Sequence, residues 1–348
     1  MLAPRLALSV AILACGCGSK TGLAVEAMDA GRDAGPDAFV PPDAGRDAGP
    51  DAPVCVPGVV ALDPSEIEVV FVIDRSGSMA SNFEGLPPGP GELSRWETLE
   101  LAMADALEVF GTGGRTSLGA KFFPSRSRRG TDDPCAVFDG LDVNLSPGAA
   151  RGIVSAFSAW NPAGGTPLAP ALEEALEALE VHGDPDNAQF IVAMTDGAPT
   201  CTGSAAADAL AVIRQAHDER GVDVFVVGIA STAPEVELLD VMAIQGGRAR
   251  PAEEERRFYD ARDPTLLSSL LNEITRDLAL CVFAVPIPPR PEDVVEVLVD
   301  GALVARDEAR ADGWDWTSER RTQLSLFGDA CARVIESGAE VRANITCR

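Results

Sequence analysis

Seven consecutive residues, Ile67-Glu68-Val69-Val70-Phe71-Val72-Ile73, are apolar at every position but one, and no other stretch restricts the fold so strongly. A strand with one wet face alternates apolar and polar side chains. A run this continuous fits a strand covered on both faces, as in a parallel sheet between two helical layers. The pattern returns at Phe190 to Thr195 and at Val222 to Ala230. Helical spacing separates these runs. Leu99, Ala102, Met103, Ala106 and Val109 share one face of a helix predicted over Leu93 to Phe110. Thr116 to Phe123 reads as a second strand, and residues 137–145 hold a third. Pro147 to Trp160 and Pro167 to Val181 read as helices with proline at the start. Ala205 to Glu219, closed by Gly221, Pro234 to Ile244 and Pro264 to Leu280 read as further helices, with a short strand at Phe258 to Ala261. Strands alternating with helices at this spacing specify an α/β class: three layers, a mainly parallel sheet with helices on both faces.

Ligand sites in such sheets lie at the carboxyl ends of the strands. Three short motifs fall there: Asp74-Arg75-Ser76-Gly77-Ser78, Gly164-Gly165-Thr166-Pro167-Leu168 and Thr195-Asp196-Gly197. Their side chains offer two carboxylates and three hydroxyls, the hard oxygen donors that suit a hard divalent cation. Together they resemble the metal-ion-dependent adhesion site of von Willebrand factor type A domains, with Asp74, Ser76, Ser78, Thr166 and Asp196 at its five positions. The resemblance covers residues 65 to 280 and extends to Trp96, Leu99 and Gly246-Gly247. It implies a Rossmann-like three-layer fold. It implies a divalent cation at those five residues, magnesium first, with manganese or calcium as alternatives. It also implies a protein partner whose acidic side chain completes the metal's coordination, and so a role in binding or adhesion rather than catalysis. Arg75 reads as a loop-packing or solvated residue rather than a ligand contact. Arg126, Arg128 and Arg129 read as a solvated loop, partly neutralised by Asp132 and Asp133.

The ends of the chain are different material. Residues 1–17 read as a lipoprotein signal peptide. Arg5 precedes an apolar run from Leu6 to Ala14, too short to span a bilayer. Ile12-Leu13-Ala14-Cys15 resembles the lipobox of bacterial lipoproteins, with Cys15 a better lipidation site than Cys17. Residues 18–54 read as a disordered tether: the ten residues Asp29 to Ala38 recur unchanged from Asp43 to Ala52, and such sequence has too little apolar surface to offset its ordering entropy. Linkers of this kind resemble those of myxobacterial surface lipoproteins. The expected location is therefore the cell envelope, lipid-anchored at the outer membrane or cell surface, with no transmembrane helix. The formal charge of −26 argues against a nucleic-acid partner. His182 and His217 stand alone in helical stretches and read as surface residues, which leaves little from which to build a zinc site or a Ser-His-Asp triad.

Six cysteines remain beyond the leader, and an even number in an exported chain suggests disulfides. Placing them on the inferred topology predicts Cys135–Cys201 at the metal face, Cys55–Cys281 at the opposite end and Cys331–Cys347 within the tail. The boundaries follow: an α/β domain over residues 55–282 and a small α+β module over residues 283–348. In that module Val294 to Ala305 reads as a hairpin turning at Asp300-Gly301. Trp314 and Trp316 read as packing residues ahead of a sugar-binding surface. Two other functions stay open: an exported hydrolase or peptidase, and a scaffold subunit that uses the domain for assembly. The chain has no nucleophile-elbow, His-Glu-x-x-His or phosphate-loop motif.

Overall fold

The computed structural model describes residues 55–110, 114–125 and 133–348. The leader with Cys15 and Cys17, the tether, and Arg126, Arg128, Arg129 and Asp132 lie outside them. After a short exposed strand β1 (Gly58–Ala61), six strands make the principal sheet: β2 (Ile67–Asp74), β3 (Thr116–Phe123), β4 (Val143–Pro147), β5 (Ala188–Thr195), β6 (Asp223–Ile229) and β7 (Tyr259–Ala261). Their order is β4-β3-β2-β5-β6-β7, parallel throughout except for β4 on β3. Central β2 is buried at all its residues. Phe71 and Ile73 belong to one core, while Val70 and Val72 belong to the other. The unbroken apolar run is the consequence of that double cover.

Helices fill both faces. α1 (Arg95–Ala106), α2 (Ala150–Ala159), α3 (Leu168–His182), α4 (Ala205–Arg214), α5 (Ala233–Gln245) and α6 (Pro264–Leu280) follow in chain order. On one face Trp96, Leu99 and Met103 of α1, Phe157 of α2 and Leu267, Leu271 and Ile274 of α6 pack against the sheet. On the other face the sheet meets Leu168, Leu172 and Leu176 of α3, Ile213 of α4 and Leu239 and Met242 of α5. Ser94 and Glu97 start α1 with a reciprocal capping box. Three expectations shift: the first helix gives way after Ala106 to a 3-10 turn, Leu107–Phe110, that leaves Val109 exposed, and two changes follow around Pro147. The third strand lies at Val143–Pro147 rather than within 137–145, and Pro147 ends it instead of opening a helix. Gly148, at φ 76°, turns the chain into α2.

The remaining elements are β8 (Val282–Ala284), β9 (Val294–Val299), β10 (Ala302–Val304), β11 (Gly313–Trp316), β12 (Gln323–Phe327), α7 (Gly328–Ser337) and β13 (Val341–Thr346). They form two antiparallel sheets, β1-β13-β9-β10 and β11-β12-β8, around a third core. The β9–β10 hairpin turns through Asp300 and Gly301, both at positive φ as its two-residue loop requires. Trp314 and Trp316 are buried edge-to-face at 5.2 Å between ring centroids, as packing residues.

This assembly sits against the amino ends of the parallel strands. The Ser65 N–H donates to the Val282 carbonyl just before β2 begins, and Arg320 and Gln323 reach the Pro185 and Asp186 carbonyls just before β5. At the start of β6, buried Asp223 accepts from Arg248 at 2.8 Å and from Arg310 of the tail at 2.9 Å. His217, read from the sequence as a surface residue, also meets Asp223, at 2.9 Å, and is only partly exposed. Burial alone would raise the Asp223 carboxyl. Arg310 and Arg248 outweigh it and hold the group well below the usual carboxylate range.

Two of the three expected disulfides are re-paired. Cys55 bonds Cys347 rather than Cys281, because β1 lies antiparallel on β13 with Gly58 opposite Ile345. Cys281 bonds Cys331 rather than leaving Cys331 to Cys347, because β12 brings α7 beneath the end of α6; the Leu326 N–H donates to the Cys281 carbonyl. Cys135 and Cys201 pair as anticipated, with their Cα atoms 5.7 Å apart.

Candidate metal centre

At its carboxyl end β2 delivers Asp74, fully buried, into a tight turn over Gly77–Ala80. One Asp74 oxygen, Oδ1, accepts the Ser76 N–H at 2.7 Å. The other, Oδ2, accepts the Thr195 hydroxyl at 2.7 Å. Asp196 follows β5 at the adjoining strand end. Its Oδ1 accepts the Ser78 hydroxyl at 2.7 Å, and Ser76 Oγ lies 2.9 Å from Ser78 Oγ and 3.5 Å from the same carboxylate oxygen. Four of the five predicted residues thus form one hydrogen-bonded group, with Ser78 exposed to solvent and the other three buried.

Thr166 stands on the loop beside them, and backbone contacts fasten that loop in place. The Gly77 N–H donates to the Gly164 carbonyl at 3.0 Å, and Gly165 N–H to the Pro134 carbonyl at 2.9 Å. Thr166 N–H donates to Thr200 Oγ1 at 3.0 Å, and Thr200 N–H returns a bond to the Thr166 carbonyl at 3.1 Å. Gly164 has φ 90°, and a Cβ there would stand 2.5 Å from the Pro134 carbonyl oxygen, so only glycine fits. A Cβ on Gly165 would stand 3.0 Å and 3.1 Å from the two sulfurs of Cys201 and Cys135. The disulfide therefore lies directly against the loop that carries Thr166.

The sequence reading missed Arg95, the first residue of α1. Its Nη1 lies 2.8 Å from Asp196 Oδ2, and its Nε donates to the Asn82 carbonyl at 2.9 Å. A signal was available: Arg95 directly follows the capping Ser94, so it sits at the helix end nearest the three motifs. Thr195, which orients Asp74, was missed as well, although it adjoins Asp196. Arg75 is a buried packing residue that ties its loop to the loops after β3 and α2. It donates to the carbonyls of Pro124, Asn161 and Ser125 at 2.7, 2.7 and 3.0 Å and lies over the Trp160 ring.

Burial, and then the charge of Asp196, push the Asp74 carboxyl up to about 7 against the hydrogen bonds from Thr195 and Ser76. Two carboxylates facing one guanidinium leave a buried negative charge uncompensated. A hard cation would relieve it, every side-chain donor is oxygen, and exposed Ser78 leaves a way in. The residues therefore fit a divalent ion on the chemistry of the donor set. Two other clusters, Cys55-Asp293-Cys347 and Asp277-Cys281-Cys331, have committed their cysteines to disulfides.

The mixed, mostly parallel sheet with helices on both faces is the von Willebrand factor type A fold, and the model of the von Willebrand factor type A domain matches residues 150–273. No curated protein matches this chain. Among solved structures, the PilB minor pilin from Streptococcus sanguinis is similar at 16% identity and a TM-score of 0.48, over 62% of this chain and 62% of the pilin. The pilus adhesin SpaC from Lactobacillus rhamnosus GG is similar at 15% identity and a TM-score of 0.47, over 80% of this chain and 39% of the adhesin. A von Willebrand factor type A protein from Catenulispora acidiphila is similar at 15% identity and a TM-score of 0.44, over 83% of this chain and 60% of that one. The chain spans less than two thirds of the length of each.

Proposed function

We propose that this chain is an exported envelope protein that binds a divalent cation, magnesium first, at Asp74, Ser76, Ser78, Thr166 and Asp196, and through it an acidic side chain of a protein partner. One observation carries the reading: Asp74, Ser76, Ser78 and Asp196, drawn from two strand ends, share one hydrogen-bonded cluster that holds an excess of buried negative charge. A bound cation would supply affinity for a partner's carboxylate oxygen. Asp74 is held in one orientation by Thr195 and by the Ser76 N–H, and Asp196 by Ser78 and Arg95. The serine hydroxyls are neutral donors and do not satisfy the cation's charge. Three disulfides support an oxidising compartment, and attachment to the envelope through Cys15 completes the proposal.

The test is titration calorimetry of the full chain with magnesium, alongside Asp74→Ala. One equivalent should bind to the unaltered protein and none to the variant. A protein that takes up no magnesium, manganese or calcium sinks the reading.

A further inference from the structure

We infer that Arg95 makes the metal-loaded site select an anionic ligand, by keeping the site's net charge positive. The inference rests on the five-residue site proposed above. Asp74 and Asp196 together cancel a divalent cation. Arginine is a permanent cation, so Arg95, against Asp196 at 2.8 Å, leaves the loaded site with one positive charge to spare.

Arg95 is not a surface ion pair of the kind that water screens. Its side chain is 8% exposed and that of Asp196 not at all. In such surroundings a charge is screened far less than at the surface. Its placement is also built. The Asn82 carbonyl accepts from Nε, and Asn82 is itself held by Glu92 at 2.7 Å and by the N–H groups of Glu84 and Leu86. Arg75, although adjacent to Asp74 in sequence, sends its guanidinium to three backbone carbonyls instead.

A cation fixed on a metal-binding carboxylate opposes metal binding, and a site shaped only to hold its ion most tightly would leave it out. What it contributes is selectivity. A neutral loaded site would hold a carboxylate only through the cation's short-range field, whereas a positive one adds a net attraction for the carboxylate and disfavours neutral or cationic groups.

Arg95→Gln and Arg95→Lys, made in the full chain, separate charge from shape. Magnesium affinity by calorimetry should rise about tenfold in Arg95→Gln, where the repulsion is gone, and stay near the original in Arg95→Lys. A merely structural role would lower it in both. The second readout is broadening of the acetate methyl proton resonance by manganese-saturated protein, which should be weaker for Arg95→Gln than for the unaltered chain at equal manganese occupancy. On the unaltered chain alone, neutral acetamide should be broadened less than acetate, a comparison that needs no variant to fold. Unchanged or weakened magnesium binding in Arg95→Gln, or equal broadening of acetate and acetamide, overturns the inference while leaving the metal site standing. Absence of any metal uptake by the unaltered chain overturns the site itself.

Discussion

Asp74 and Asp223 are both buried aspartates at the ends of central parallel strands, and the protein treats them in opposite ways. Asp223, at the amino end of β6, meets two arginines and a histidine and is held ionised well below its ordinary range. Asp74, at the carboxyl end of β2, faces a second carboxylate and is pushed up to about 7. The first is a closed account of charge, with every acid matched by fixed cations, and it fastens the tail to the sheet. The second is left short of positive charge. Fixed complementarity makes a joint, and on the proposed function the deficit is what a mobile cation would fill.

The largest effect should come from breaking the joint. Asp223→Asn leaves Arg248 and Arg310 buried without their carboxylate and should cost about 3–5 kcal/mol in urea unfolding. The same change at the other end, Asp74→Asn, should stabilise the metal-free protein by about 1 kcal/mol and abolish magnesium binding. The pH dependences should differ in sign. The folded-state pKa of Asp74 is raised, so its contribution to metal-free stability falls as pH rises from about 4 to about 7. That of Asp223 is depressed, so its contribution is present above about pH 4 and is lost as pH falls below it. Thermal melts of each Asn variant against pH check both signs; matching slopes would erase the distinction. A partial loss of magnesium affinity, short of the abolition expected at Asp74, concerns the loop of Thr166. Replacing Cys135 and Cys201 with serine should weaken magnesium about tenfold, or about 1.4 kcal/mol, with Asp74 untouched, because the loop loses the disulfide packed on Gly165. Calorimetry on the double variant measures it.

How much of this was readable in the sequence follows the range of the interactions. The parallel strands and the helices against them were plain, because their periodicity is local and their cover complete. Asp74, Ser76, Ser78 and Asp196, which the structure joins in one hydrogen-bonded group, could be singled out because they follow strand runs, whereas Thr166, between α2 and α3, was named from the resemblance of its motif. Arg95 was missed, because its place at the start of α1 puts it near the three motifs without specifying a contact with Asp196, 101 residues away. The disulfides failed for a related reason. The expected pairs assumed that Cys55 belongs with the α/β domain and Cys347 with the tail. Four residues, Gly58–Ala61, too short and too exposed to read as a strand, instead extend a sheet whose other members come from the far end of the chain. His217 looked like a surface residue because the partner that explains it, Asp223, acquires its role only when Arg310 arrives from the tail.

The pairing of β1 with β13, sealed by Cys55–Cys347, has a mechanical consequence. Cys55 and Cys347 lie with β1 and β13 beside the amino ends of the parallel strands, where Ser65 meets Val282, while Asp74 stands at the carboxyl end of β2. Under the proposed function, a pull between Cys55 and a partner held at Asp74 would run lengthwise through β2, whose bonds to β3 and β5 would then resist together in shear instead of peeling one by one. The Cys55–Cys347 bond would pass part of such a pull straight into β13 and keep β1 from being stripped away first.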